Sequence, residues 1–158
     1  MKFEVKDGTR PYQLDGVQLA HSSSRIHNRP RWVEFSLYKT LKGQYVVYRV
    51  GQSLYFHTED CYTVFRNKLS VVDESEITNR HIPCPDCRPS RISVTGLYPE
   101  MPRHKAWIPD SAEGVVKSLY KYDDNNTEYL TNVVIRLLEE ASEKDSAIAD
   151  AFLVRVIE

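Results

Sequence analysis

The sequence is poor in several residues and motifs that define common protein classes. Only three of its 158 residues are cysteine and six are glycine. An odd, small cysteine count argues against a disulfide framework. The few glycines form no phosphate-cradling loop, and neither GxSxG nor HExxH occurs. No apolar run approaches the roughly 20 residues that span a bilayer, and the first ten residues lack the apolar stretch of a signal peptide. We therefore expect a cytoplasmic protein without a membrane partner.

What the sequence does contain is typical of a globular protein with an uneven charge distribution. Hydrophobic residues make up 41% and charged residues 27%. Residues 1–109 hold 16 Lys and Arg against 11 Asp and Glu, a net charge of +5, whereas residues 110–158 hold 5 against 11, a net charge of −6. The basic part could contact a polyanion and the acidic part a basic partner. Both parts could equally be ordinary solvated surfaces.

The first part of the chain has the pattern of short β-strands. The segment RWVEFSLYKT (31–40) alternates apolar and polar side chains, and QYVVYRV (44–50) is rich in β-branched and aromatic residues. Gly51 is expected to end that strand before a third, SLYFH (53–57). A further strand is expected within 12–20. Short strands joined by tight turns predict an antiparallel meander.

The last part of the chain has the pattern of helices. Asp110 and Glu113 have capping-box spacing, Thr127 can cap a second helix, and Asp145 can cap a third. The second helix carries an amphipathic stripe formed by Leu130, Val133, Val134, Leu137, Leu138 and Ala141. We predict an α+β fold with a β-rich zinc-binding part, 1–109, and a helical part, 110–158, which could form one packed domain. The proline-containing segment 97–109 is expected to be an extended linker.

The three cysteines and one histidine have the spacing of a metal site. Cys84 and Cys87 form a C-x2-C pair, and His57 precedes Cys61 in an H-x3-C pair. Together they predict a Cys3His set for a tetrahedral zinc ion, since thiolate and imidazole ligands disfavour Mg²⁺ and Ca²⁺. Because the protein would fill all four positions, the predicted zinc is structural.

Three alternatives to this ligand set remain open at the level of sequence. The C-x2-C pair could be a redox pair, although no βαβ context is visible. The thiols could be buried without a metal. The fourth ligand could be His81, which lies three residues before Cys84, or less plausibly His104.

The segment from Ser53 to Pro89 resembles the zinc-binding domain of Ada-type DNA-repair proteins. Its closing residues, RHIPCPDCRP (80–89), are similar to the aromatic-x-P-C-x-x-C-x-P end of that domain, with Ile82 and His81 where an aromatic residue commonly lies. The resemblance covers about a quarter of the chain. It implies a treble-clef-like zinc knuckle, and Asp73 with Glu76 offers a capping box for its helix, DESEITNR (73–80).

The sequence departs from the Ada pattern at one functional position. The resemblance implies metal ligation by Cys61, Cys84 and Cys87, but His57 stands where Ada-type domains have the cysteine that accepts a methyl group from a DNA phosphotriester. An imidazole cannot readily perform that thiolate chemistry. We therefore expect His57 to be a changed ligand without alkyl transfer, and DNA binding is left open.

Arginines near an aromatic residue suggest a nucleic-acid-binding surface. Arginine fits phosphate geometry, and an aromatic ring can stack a base. The candidate residues are Arg25, Arg29, Arg31 and Trp32 in one segment, and Arg88 and Arg91 after the cysteine pair. The strand residues Tyr38, Tyr45, Tyr48 and Tyr55 could also stack bases, although tyrosine simply favours strands. The alternative is a solvated polar loop.

These observations lead to three hypotheses for function. The first is a small intracellular protein with a structural zinc site that binds nucleic acid through its basic part. The second is a protein–protein interaction adaptor or regulator that uses the acidic helices. The third and weakest is a hydrolase built on His21, His27 or His104, for which no nucleophile, base and orienting residue can be read from spacing.

Overall fold

A computed structural model describes residues 1–26, 28–58, 61–62, 80–88 and 97–153. The chain divides into two compact units that alternate along the sequence. The core unit comprises 1–24, 33–50 and 104–158, and the cysteine unit comprises 25–32 and 51–103. The sequence pattern had instead predicted a single boundary after residue 109.

The described residues form ten strands and three helices, consistent with the predicted α+β class. The strands are β1 (Lys2–Asp7), β2 (Arg10–Ser23), β3 (Arg31–Thr40), β4 (Tyr45–Ser53), β5 (Tyr55–Thr58), β6 (Ile82–Pro83), β7 (Leu97–Pro99), β8 (Arg103–Trp107), β9 (Lys121–Tyr122) and β10 (Glu128–Tyr129). The helices are α1 (Ala112–Ser118), α2 (Asn132–Lys144) and α3 (Ser146–Leu153). None of the helices in these ranges is long and apolar enough to cross a membrane.

The core unit is built on a five-stranded sheet in the order β1-β2-β3-β4-β8. The long strand β2 serves two neighbours: its first residues, 10–15, pair with β1, and residues 16–23 pair antiparallel with β3. At Gly16 the two strands approach so closely that a Cβ would collide with the carbonyl oxygen of Lys39. Glycine is therefore required where β2 changes partner.

The helices of the core unit pack on this sheet through the predicted apolar stripe. The largest buried cluster combines residues of β2, β3, β4 and the three helices: Leu19, Ala20, Phe35, Leu37, Tyr45, Val47, Val115, Val116, Leu119, Val133, Val134, Leu137, Leu138, Ala141 and Ile148. Ser111 caps α1 by accepting a hydrogen bond from the N–H of Gly114 (3.0 Å). Asp145 caps α3, as predicted, by accepting from Ala147 and Ile148.

Several predicted element boundaries differ from the structure. Gly51 does not end β4, because a glycine can occupy an extended strand and the pairing continues to Ser53. The expected linker 97–109 contains β7 and β8, since backbone pairing satisfies its N–H and C=O groups. Helix α2 begins after Thr131 rather than Thr127, because residues 128–129 pair with β9 in a hairpin.

The cysteine unit contains a three-stranded sheet in the order β6-β5-β7. The central strand β5 pairs in parallel with β6, where Phe56 faces Pro83, and antiparallel with β7, where His57 faces Tyr98. This pairing places His57 of β5 close to Cys84, which follows β6, and to Glu100, which follows β7. The predicted helix 73–80 falls almost wholly outside the described residues, so the treble-clef-like knuckle stays a prediction.

Candidate metal centre

The four residues predicted as metal ligands lie together in the cysteine unit. One potential ligand atom from each of His57, Cys61, Cys84 and Cys87 lies within 4.8 Å of the others. His57, Cys61 and Cys84 are buried, and Cys87 is half-buried. A Cys3His cluster of this compactness is compatible with a metal site.

The local backbone explains how these residues converge. Cys84 follows β6, and its N–H donates to the carbonyl oxygen of Phe56 in β5 (3.0 Å). The C-x2-C segment then turns, and the N–H of Arg88 donates back to the carbonyl oxygen of Cys84 (2.8 Å). Arg88 has a positive φ of 46°, which reverses the chain after the second cysteine of the pair. The N–H of Cys61 donates to the carbonyl oxygen of Thr58 at the end of β5 (3.2 Å).

The sulfur atoms have the surroundings of ligands rather than of a disulfide. Sγ of Cys61 lies 3.8 Å from Sγ of Cys84, too far for a covalent bond. The N–H of Thr58 points at Sγ of Cys87 at 3.4 Å. Burial raises the pKa of Cys87 to about 11. A bound cation would favour the thiolate form of Cys87.

His57 has one satisfied and one unsatisfied ring nitrogen. Nε2 lies 2.7 Å from Oε2 of Glu100. Nδ1 is the one buried side-chain nitrogen or oxygen in the described residues without a hydrogen-bond partner. An unpaired buried polar atom is costly, and because His57 belongs to the cluster with the three cysteines, a metal ion would satisfy this nitrogen.

Glu100 is a buried carboxylate held by two neighbours. Arg31 donates two hydrogen bonds to the carboxylate, from Nε to Oε1 at 3.0 Å and from Nη2 to Oε2 at 2.8 Å. Nε2 of His57 also contacts Oε2. Burial alone would raise the pKa of Glu100, but the hydrogen bonds from His57 and Arg31 outweigh it and lower the pKa. Arg31 also lies over the ring of Tyr55, 4.9 Å from its centroid.

Glu100 was not among the site residues predicted from the sequence. The residue lies 43 positions after His57, and no motif connects the two. The available signal was a charged residue after a short strand, with prolines at 99 and 102. The same pattern occurs in ordinary polar loops. By contrast, the choice of His57 over His81 and His104 agrees with the structure, because the cluster contains only the first. His104 instead contacts Tyr48, Nδ1 to the hydroxyl at 2.6 Å, in the core unit.

The predicted nucleic-acid-binding residues have different surroundings. Arg25 lies over the ring of Trp32, 4.4 Å from its centroid, and Arg29 is exposed. Arg31 is engaged by Glu100 with 44% of its side chain exposed. Arg88 is exposed and donates to the carbonyl oxygen of Pro85 at 3.3 Å. The remaining candidate, residue 91, lies outside the described residues.

The predicted tyrosine stacking face is not a continuous exposed surface. Tyr38 and Tyr45 are buried, and Tyr45 donates its hydroxyl hydrogen to Asp145. The ring of Tyr48 stacks on His104, and Tyr55 lies beneath Arg31. Of these four tyrosines, only Tyr48 and Tyr55 are half-buried rather than buried, so only their rings are accessible to a base.

The histidines proposed for a hydrolase gain little support. Nδ1 of His21 lies 2.9 Å from Oγ of Ser36, but Nε2 lies 3.9 Å from the carboxylate of Glu34, beyond hydrogen-bonding distance. A cavity of about 500 Å³ on the core unit is lined by eleven residues, none of them histidine. His27 falls outside the described residues. Among the described residues, the contacts of His21 and this cavity do not combine a base, an orienting group and a pocket, so the hydrolase stays a prediction.

Comparisons with known proteins identify no relative. No protein-family model, curated protein or solved structure matches this chain. The resemblance of Ser53–Pro89 to Ada-type domains therefore stays a prediction that depends on its motif alone. The ligand cluster is an independent observation, because it follows from where the fold places the four side chains.

Proposed function

We propose that this protein binds one Zn²⁺ as a structural ion and that the unit held by this ion binds nucleic acid. The ligands are His57, Cys61, Cys84 and Cys87. The observation that carries the proposal is the convergence of one potential ligand atom from each of the four residues to within 4.8 Å, together with the unpaired Nδ1 of His57.

The donor set favours zinc over other common metals. Three sulfurs and one imidazole nitrogen are ligands that suit Zn²⁺ and disfavour the hard cations Mg²⁺ and Ca²⁺. Four protein ligands fill a tetrahedral shell and leave no open position for substrate, which is typical of structural sites. A bound zinc would supply folding free energy and would favour the thiolate form of the cysteines. The cluster therefore has no catalytic role in this proposal.

The metal assignment is tested on the purified full-length chain. Native mass spectrometry is expected to give one zinc per chain, and Co²⁺ substitution to give the charge-transfer absorption of thiolate ligands. Cys84→Ser should abolish stoichiometric binding, whereas Asp86→Asn, a change between the two paired cysteines, should leave it intact. A chain that purifies without metal and does not bind Zn²⁺ or Co²⁺ would contradict the assignment.

Two features support nucleic acid as the partner. The cysteine unit, 25–32 and 51–103, holds 9 Lys and Arg against 7 Asp and Glu, a net charge of +2, which favours a polyanion. The Arg25 and Trp32 side chains form a cation–aromatic pair in the segment that belongs to the cysteine unit, and exposed Arg29 lies between them in sequence. Such a pair can combine a phosphate contact with base stacking.

Nucleic-acid binding is tested by salt titration of the zinc-loaded protein against labelled single-stranded and duplex oligonucleotides. Binding is expected to fall linearly with salt on a log–log plot. The double variant Arg25→Gln/Arg29→Gln should bind more weakly, and each lost phosphate contact should reduce the slope by about 0.7 for single strands or 0.9 for duplex. The matched control Lys117→Gln/Lys121→Gln removes the same charge from exposed positions in the acidic part.

Two results would contradict the nucleic-acid proposal. Equal losses in the arginine and lysine variants would show that only net charge matters and that the arginine segment is not the site. No binding at low salt would reject nucleic acid as a partner and leave the adaptor hypothesis. The apolar stripe of α2 cannot then be the docking face, because Val133, Val134, Leu137, Leu138 and Ala141 are all buried. Only the acidic outer surface of the helices would be available to a basic protein.

A further inference from the structure

The contacts around His57 bear on which of its ring nitrogens binds the metal. A neutral imidazole has one protonated and one unprotonated nitrogen, and only the unprotonated one can be a ligand. The partner of the other nitrogen decides which is which. Here Nε2 faces the carboxylate of Glu100 at 2.7 Å, and Nδ1 has no partner among the described residues.

We propose that Glu100 and Arg31 are positioning residues of the metal centre, which fix His57 as an Nδ1 ligand with its proton on Nε2. This inference rests on the metal site proposed above. An ionised carboxylate can only accept hydrogen bonds, so Nε2 must donate to Glu100. The lone pair of Nδ1 is then directed to the metal.

The backbone holds the carboxylate in place independently of its side-chain contacts. The N–H of Glu100 donates to the carbonyl oxygen of Tyr55 at 2.9 Å, and the preceding residue, Pro99, pairs with Phe56. Glu100 is thus attached to β5, the strand that carries His57. Its side chain is 5% exposed, and that of His57 is fully buried. Both groups are therefore shielded from water, which would otherwise compete for the Nε2 proton.

Arg31 stabilises this arrangement by its charge and its geometry. A zinc ion with three thiolates carries a net charge of −1, so an unpaired carboxylate next to it would add a second buried negative charge. The two hydrogen bonds from Arg31 offset that charge and fix the carboxylate plane. Lysine could offset the charge, but it would not reproduce the paired contact.

This role changes the interpretation of Arg31, which sequence analysis assigned to phosphate binding. In the structure, Arg31 and Arg29 lie two residues apart in the cysteine unit but differ in what they contact. Both side chains are exposed to solvent, but the Arg31 guanidinium binds the buried carboxylate of Glu100 and Arg29 is not among the partners of that carboxylate. Variants of Arg31 should therefore change metal binding, and variants of Arg29 should not.

The experiment combines metal competition with NMR of the histidine rings, on the full-length zinc-loaded chain. Long-range ¹H–¹⁵N correlation should show His57 bound through Nδ1 and protonated at Nε2. Chelator competition should show that Glu100→Ala weakens zinc binding about 10- to 100-fold, the range typical of lost outer-shell partners. Glu100→Gln, which keeps an acceptor oxygen, should have a smaller effect. In the same competition, Arg31→Gln should weaken zinc binding, whereas Arg29→Gln should leave the zinc affinity at the wild-type value.

Two results would overturn this inference while leaving the zinc site intact. One is a wild-type chain that binds zinc with Nε2 of His57 as the ligand. The other is unchanged zinc affinity in both Glu100 variants and in Arg31→Gln. The ring assignment needs no variant, so it decides the matter even if Glu100→Ala does not fold. A wild-type chain that binds no zinc would instead reject the proposed function itself.

Discussion

The interiors of the two units of this protein differ in composition. The core unit buries fifteen apolar or aromatic residues in one cluster between sheet and helices. In the described part of the cysteine unit, the buried residues include Phe56 but also His57, Cys61, Cys84 and Glu100. The first unit is stabilised mainly by apolar burial, which contributes about 25 cal/mol per Å². The second places potential metal ligands and a charged residue where a small domain would have its core.

The comparison extends to the buried carboxylate of each unit. Asp145 in the core unit accepts from Nζ of Lys39 at 2.8 Å, and Glu100 in the cysteine unit accepts from Nη2 of Arg31 at the same distance. Asp145 also caps a helix, which is a purely structural task. Glu100 contacts a candidate metal ligand. Similar ion pairs can thus have different consequences, because the third partner determines what each carboxylate orients.

Metal removal should produce the largest difference in stability between the two units. Chelation, or Cys84→Ser, is expected to deprive the cysteine unit of a binding free energy that reaches about 10–16 kcal/mol in zinc-finger peptides. Amide hydrogen exchange should accelerate in residues 51–58, 80–88 and 97–100 and stay slow in α2. Asp86→Asn is the control. Equal acceleration in both units, or in neither, would contradict a metal-dependent cysteine unit.

A cavity in the apolar core should destabilise the core unit and leave metal binding by the cysteine unit unchanged. Leu137 is fully buried in α2, and Leu137→Ala is expected to destabilise the core unit by about 2–5 kcal/mol. Urea unfolding followed by helical circular dichroism measures this loss. Zinc stoichiometry under native conditions should stay at one per chain. Glu139→Ala, on the exposed side of the same helix, should change stability little. Loss of metal from the folded Leu137→Ala protein would contradict the expectation that metal binding does not depend on the packing of the core unit.

Removing the charge of Asp145 should have a smaller effect. Asp145→Asn keeps a capping oxygen but loses the ion pair with Lys39, and we expect a loss of about 0.5–2 kcal/mol at pH 7. Asp150→Asn, at an exposed position of α3, is the control and should be near neutral. A loss no larger than that of the control would mean that the buried pair contributes nothing net.

The pH dependence of this effect has a definite sign. Burial alone would raise the pKa of Asp145, but the hydrogen bonds from Lys39, Ile148 and Tyr45 outweigh it, so the folded pKa is lowered. The stabilisation is therefore full above the unfolded pKa of about 3.9 and is lost as the pH falls through the lower folded pKa. The stability difference between wild type and Asp145→Asn should shrink between pH 6 and pH 3. A difference that grows toward acid pH would contradict the assigned shift.

Part of the fold and of the site followed from local sequence. The amphipathic stripe of α2 predicted a buried helix face because helical periodicity alone determines which side chains share a face. The strand 31–40 was predicted with the bounds that the structure has. The cap at Asp145 and the C-x2-C turn were also predictable, since each depends on a few adjacent residues. The predicted treble-clef helix and the nucleic-acid surface stay predictions.

What local sequence could not predict depends on residues brought together from distant positions. By contrast, ligand spacing predicted that His57, Cys61, Cys84 and Cys87 form one cluster, and the structure brings a potential ligand atom from each to within 4.8 Å of the others. Only the tertiary structure showed that Glu100 contacts His57 and that Arg31, which was predicted to contact phosphate, binds the carboxylate of Glu100. The pairing of β5 with β7 brings Glu100 next to His57, and strand pairing across tens of residues leaves no periodic pattern in the sequence.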